Sequence, residues 1–178
     1  MVSQVEIPAL NPTHTLRHTI AGLVQVFTCS QRSFFTGVIA QALRIAGQGT
    51  PVLVVQFLKG GIGQGQNHPM QLGQNLDWLR CDVPRCIDSA QVSEAESLSL
   101  RSLWDYTQTV VSQDKYSLVV LDELSLAISY GLISEAEVLA FLADRPPHID
   151  VILTGPEMPP SILDVADQIT ELRRSHQP

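Results

Sequence analysis

Three short runs, Val52–Phe57 (VLVVQF), Ser117–Asp122 (SLVVLD) and Asp150–Thr154 (DVILT), are almost unbroken in Val, Ile and Leu. A strand with one face in water alternates apolar and polar side chains, so an unbroken run calls for burial on both faces. A parallel sheet covered on each side by helices meets that demand. Gly22–Thr28 (GLVQVFT) and a weaker stretch, Gln168–Leu172, extend the set of predicted strands.

The intervening segments carry helix signals. From Ser33 to Ala46 the residues Phe34, Val38, Ala42 and Ile45 recur at helical spacing, and Gly47 and Gly49 stand where a C-terminal cap belongs. Ser93-x-x-Glu96 and Ser134-x-x-Glu137 read as capping boxes, the Ser oxygen accepting an N–H of the first turn while the Glu reaches back. The first opens a helix to about Ser112, and the second a shorter one ended by Arg145-Pro146-Pro147, where proline disfavours helix in itself and in its predecessor. Pro159 and Pro160 start a last short helix through Ala166. Strands alternating with helices predict a three-layer α/β fold, a mainly parallel five- or six-stranded sheet with helices on both faces. It is expected to be one domain over residues 21–178, after an N-terminal extension over residues 1–20. The Gly- and Gln-rich segment at 59–75 is expected to be a flexible surface loop.

Composition narrows the function classes. With 44% hydrophobic and 16% charged residues the chain is too apolar for disorder. A net charge of −7 repels phosphate backbones and anionic headgroups, which argues against nucleic acid. No apolar run approaches the roughly 20 residues of a membrane span. The start, Met1 to Thr19, carries Glu6, Pro8 and Pro12 where a signal peptide needs an apolar core, so a cytoplasmic protein is expected. Cys29, Cys81 and Cys86 form no disulfide framework, and no further ligand near Cys81 and Cys86 has zinc-site spacing. His14 and His18 share a helical spacing without a carboxylate partner and read as surface residues.

Ligands of open α/β sheets bind beyond the carboxyl ends of the strands. After the first strand, the turn Cys29-Ser30-Gln31-Arg32-Ser33 stands where a phosphate loop would sit, yet it holds neither the glycines that let N–H groups converge nor a lysine. Phe34 and Phe35 follow, and the polar remnants are Arg32, Ser33 and Thr36. The plainer alternative is a tight turn with both phenylalanines in the core. Asp122-Glu123 ends a strand in the manner of a Walker B segment, whose Asp holds Mg²⁺ and whose Glu positions water or a partner. A solvated acidic strand end is the alternative. Thr154-Gly155 reaches the same edge.

Several segments together resemble the ATP:corrinoid adenosyltransferases. VVQFLKG (Val54–Gly60), VVLDE (Val119–Glu123) and the ILDVAD segment that begins at Ile162 are the most specific, within a likeness running from about Gly22 to Arg173. The resemblance implies a P-loop, RecA-type sheet, often dimeric, that binds Mg-ATP and a reduced corrinoid and transfers adenosyl to cobalt. Carried over by position, Thr28, Arg32, Ser33, Thr36, Lys59, Gly60 and Glu123 would border the nucleotide and corrinoid, and Asp122 with Thr36 would hold Mg²⁺. The chain departs from the family at the ATP loop. Where members carry a stretch like TGNGKGKTT, it reads TCSQRSFFT (Thr28–Thr36), with Phe34 in place of the phosphate lysine and Phe35 in place of the metal-binding hydroxyl. Two functions follow as expectations. One is a non-catalytic binding or regulatory module that needs no cofactor; the other is an active ATP:cob(I)alamin adenosyltransferase using ATP, Mg²⁺ and a corrinoid. A homodimer is expected from the family, and a protein partner from the 60–75 loop.

Overall fold

In the computed structural model, described over residues 21–173, one sheet collects β1 (Val24–Cys29), β2 (Val52–Gln56), β3 (Met70–Leu72), β4 (Leu76–Arg80), β5 (Leu118–Asp122), β6 (Asp150–Pro156) and β7 (Gln168–Leu172). The order across it is β3-β4-β2-β5-β6-β1-β7, and only the β3–β4 pair is antiparallel. Seven strands therefore replace the five or six expected. The additional hairpin escapes a search for apolar runs because β3 is three residues long and Asp77 and Arg80 interrupt β4. Part of the 59–75 segment is thus strand, and its start is packed: Lys59, Gly60, Gln64 and Gly65 are buried.

The helices are α1 (Thr36–Gly47), α2 (Glu94–Ser112), α3 (Leu124–Ser129), α4 (Glu135–Asp144) and α5 (Pro160–Asp164). Side chains of the central strands alternate between two cores. Leu53, Val55, Val119, Leu121, Val151 and Leu153 face a large core shared with α2 to α5. Val52, Val54, Leu118, Val120 and Ile152 face a smaller one under α1, built with Phe35, Val38 and Ala42. Burial on both faces is what the continuous apolar runs required. In the large core Trp104 is fully buried and meets Phe57 and Phe141 edge-on at 5.9 and 5.4 Å between ring centres. Among the described residues no helix is long and apolar enough to cross a membrane. The N-terminal extension with His14 and His18 lies outside the described residues.

Both predicted capping boxes are formed. At α4, Glu137 closes the Ser134 box and also takes a bidentate pair from Arg101 of α2, one arm at 2.9 Å. These contacts, Arg101 foremost, hold the Glu137 carboxyl down at about 2 from its ordinary 4.5. A lowered folded value stabilises the protein above the unfolded pKa, and that contribution fades as pH falls from about 4.5 towards 2. Arg101→Ala is expected to cost up to about 1 kcal/mol near neutral pH, since the pair is partly exposed. Urea midpoints of the variant and the wild type should converge as the pH approaches about 2; a constant gap would remove Glu137 as the titrating group.

Candidate functional site

The carboxyl ends of β2, β5 and β6 converge, with Gln56 paired in register with Asp122. This places the acidic pair, both members 3% exposed, among polar side chains delivered by neighbouring strands. Thr154 donates its hydroxyl to Asp122 Oδ1 at 2.7 Å, while Gln56 Nε2 and Lys59 Nζ donate to Oδ2 at 2.7 and 2.6 Å. Gln56 in turn accepts from Trp78 Nε1 at 3.0 Å and from Arg80 Nε at 2.8 Å. Lys59, only 6% exposed, therefore has its charge answered inside the protein. Burying an ammonium and a carboxylate is tolerable only when they are paired and hydrogen-bonded, as these are.

Glu123 is held from two sides. Its N–H donates to Thr154 Oγ1 at 3.0 Å, and its carboxylate receives Arg32 through Nε at 2.7 Å and Nη2 at 2.8 Å. This planar fork is the strongest geometry available to a carboxylate and arginine. It raises the Arg32 pKa above its ordinary value, the Glu123 contact being the main cause. The third nitrogen of Arg32 donates to the Ile87 carbonyl at 2.9 Å and so ties the turn after β1 to the segment following β4. Glu123 has φ 60°, in the left-handed region that costs a residue with a side chain of order 1 kcal/mol or more. The Thr154 and Arg32 contacts hold it there. Just beyond β6's Thr154, Gly155 has φ 140°, and a Cβ there would lie 2.1 Å from Ser125 Oγ, so this close passage of β6 against α3 needs glycine.

The expected site residues are brought together only in part. Lys59 joins Asp122, and Arg32 joins Glu123. Thr28 is half-buried at the end of β1, Ser33 is half-buried in the turn, and Thr36 is the exposed first residue of α1. Among the described residues no side-chain hydrogen bond links Thr28 or Thr36 to the network. Gly60 is buried with its Cα against the Val83 and Arg85 carbonyls, where a Cβ would come within 2.3 Å of the Val83 oxygen. Gln56, Trp78 and Arg80 carry no sequence signal for this role, because only strand register brings Gln56 to Asp122 and Trp78 and Arg80 to Gln56.

The turn corrects one expectation. Helix α1 begins at Thr36 instead of Ser33, with Phe35 at the cap position and no side-chain cap. Phe35 is 4% exposed and packs in the smaller core, but Phe34 is 76% exposed. Its ring lies under Lys59 Nζ, 4.4 Å from the centroid, so the side chain covers a cation and is not core.

Over residues 20–178 the sequence matches the family described as ATP:corrinoid adenosyltransferase BtuR/CobO/CobP. It is 29% identical to a corrinoid adenosyltransferase of a Sinorhizobium species over 88% of this chain and 74% of the relative. It is also 29% identical to the corrinoid adenosyltransferase CobA of Salmonella typhimurium, over 85% of this chain and 76% of that protein. With a Pseudomonas aeruginosa corrinoid adenosyltransferase the identity is 30% over 76% of this chain and 66% of the relative. A match of that extent, on a mostly parallel sheet whose β5 ends at the Asp122 of VVLDE, makes this chain a member of the ATP:corrinoid adenosyltransferase family.

Proposed function

We propose that this chain is a family member whose ATP loop is degraded, and that it works as a non-catalytic binding or regulatory module on a P-loop, RecA-type sheet. The observation that carries this is the use of Arg32. In the gapless correspondence of Thr28–Thr36 with the ATP loop, Arg32 is the one cation left, and its fork is spent on Glu123. The residue in the metal-hydroxyl position, Phe35, is packed in the smaller core under α1 and has no side-chain oxygen to offer. A charge-assisted bond to a phosphate contributes roughly 1.5–3 kcal/mol, so losing the lysine, the hydroxyl and the glycine-shaped cradle removes most of a triphosphate's affinity. The segment from Gly60 to Asn75 is the proposed surface for a protein partner, and a homodimer is the assembly proposed from the family.

One observation favours the second reading, a working adenosyltransferase. Phe35 at the N-cap of α1 offers no side-chain acceptor to the first turn, a place where an anion could accept instead. A thermal shift decides between the two. A real Mg-ATP site at 100 times its Kd adds about 2.7 kcal/mol of stability. No shift with millimolar Mg-ATP, and no adenosylcobalamin formed from reduced cobalamin, is the expected result. A clear shift together with product would establish the enzyme instead.

A further inference from the structure

Mg²⁺ in a nucleotide site needs oxygens with free lone pairs and a local excess of negative charge, because it gives up its water reluctantly. All four carboxylate oxygens of Asp122 and Glu123 already accept hydrogen bonds, and the negative charge is answered by cations. Asp122 Oδ1 accepts from Thr154, and Oδ2 accepts from both Gln56 and Lys59. Glu123 Oε1 and Oε2 each receive one nitrogen of Arg32. Two carboxylates are thus matched by two bonded cations, and the Arg80 guanidinium at Gln56 adds a third positive charge nearby. Among the described residues no three His, Cys, Asp or Glu side chains gather so as to hold a metal ion. The donor set does not fit the Mg²⁺ that the family implies.

We infer that Lys59 and Arg32 are the resident counter-ions of Asp122 and Glu123 and exclude a divalent cation from the pair. Phe34 completes the arrangement, the Lys59 ammonium lying over its ring 4.4 Å from the centroid. The two cations are not equivalent. Lys59 is 7% exposed in its side chain and buried against Asp122 just after β2, whereas Arg32 is 31% exposed and reaches in from a turn. Arg32 is therefore the positioning residue whose removal opens carboxylate oxygens with least damage to the core. The inference rests on the same view of Arg32 as the proposed function, but it concerns the metal and not the nucleotide.

Mn²⁺, followed by the electron paramagnetic resonance of the free ion and with no nucleotide present, is the probe. The wild-type chain is expected to hold no Mn²⁺ at millimolar metal. Arg32→Ala, which frees both Glu123 oxygens, is expected to bind Mn²⁺ at least ten-fold more tightly than wild type, and adding Glu123→Gln should abolish the gain. Near-UV circular dichroism checks that each variant is folded, with Arg32→Gln, closer in size, replacing an Arg32→Ala that does not fold. Stoichiometric Mn²⁺ on the wild type, lost in Asp122→Asn, would overturn the inference, as would folded Arg32 variants with no gain. The two proposals fail separately: wild type shifted by Mg-ATP and forming adenosylcobalamin yet blind to Mn²⁺ alone would end the non-catalytic reading and keep this one, and Mn²⁺ held without any nucleotide shift or product would do the reverse.

Discussion

Asp122→Ala should lower the unfolding free energy by about 3–5 kcal/mol, the penalty for leaving one member of a buried ion pair without its partner. Lys59 is 6% exposed, and with Asp122 gone the ring of Phe34 is its one remaining charge-sensitive neighbour among the contacts described. A cation–π contact of this kind is worth about 1–2 kcal/mol, too little to offset an ammonium out of water. The loss also leaves the Thr154 hydroxyl and the Gln56 amide without their acceptor. Against a typical total of 5–15 kcal/mol, such a change removes a large share of the stability. Removing both charges at once, as Asp122→Leu with Lys59→Met, should cost much less than the two single changes added together. Urea unfolding of the four proteins of that cycle reads the coupling. Single variants within about 1 kcal/mol of wild type would mean that water reaches the pair.

How much of this was legible in the sequence depends on the distance over which each feature is decided. The buried strands were readable because VLVV, LVVL and DVIL state their environment within a few residues, and the capping boxes because Ser93 with Glu96 and Ser134 with Glu137 lie within one turn. The β3–β4 hairpin was not, since Met70 and Gln71 are exposed, only Leu76 and Leu79 of β4 are buried, and only the pairing of β4 with β2 makes the hairpin part of the sheet. Helix α3 is short and starts from the left-handed Glu123 without a side-chain cap, so it offers no start signal.

The site shows the same division. Asp122 and Glu123 were recognisable as an acidic strand end, whereas Lys59 entered only through the family resemblance, as a residue bordering nucleotide and corrinoid, and its pairing with Asp122 was not visible. Arg32 was expected, by its place in the ATP loop, to border the nucleotide, and its actual partner Glu123 was not visible because it lies 91 residues away. Gln56 and Thr154 look like polar interruptions in apolar strands. Only the parallel registers of β2, β5 and β6 bring both onto the two oxygens of one carboxylate. A network assembled by register has no local pattern, and its members are visible in sequence only as polar residues in places that should be apolar.

Phe34 and Phe35 test that distinction directly, because the sequence treats them alike and the fold does not. Phe35→Thr should cost about 3 kcal/mol or more, since a ring 4% exposed among Val38, Ala42 and Cys29 leaves a cavity that a threonine does not fill. Phe34→Thr should change stability by less than about 1 kcal/mol, because its ring is 76% exposed and loses chiefly one contact with Lys59. Restoring the residues of a phosphate loop one at a time is therefore uneven. Lysine in place of Phe34 costs little packing but sets a second ammonium against Lys59, whereas threonine in place of Phe35 opens the core beneath α1. The full reversion should be less stable than wild type mainly through position 35, and supplied Mg-ATP should recover that loss only if the glycines of a phosphate loop are installed as well. Thermal midpoints of the two single variants decide the matter: equal losses at positions 34 and 35 would mean that both rings are core, and that the turn closes the site by packing and not by charge.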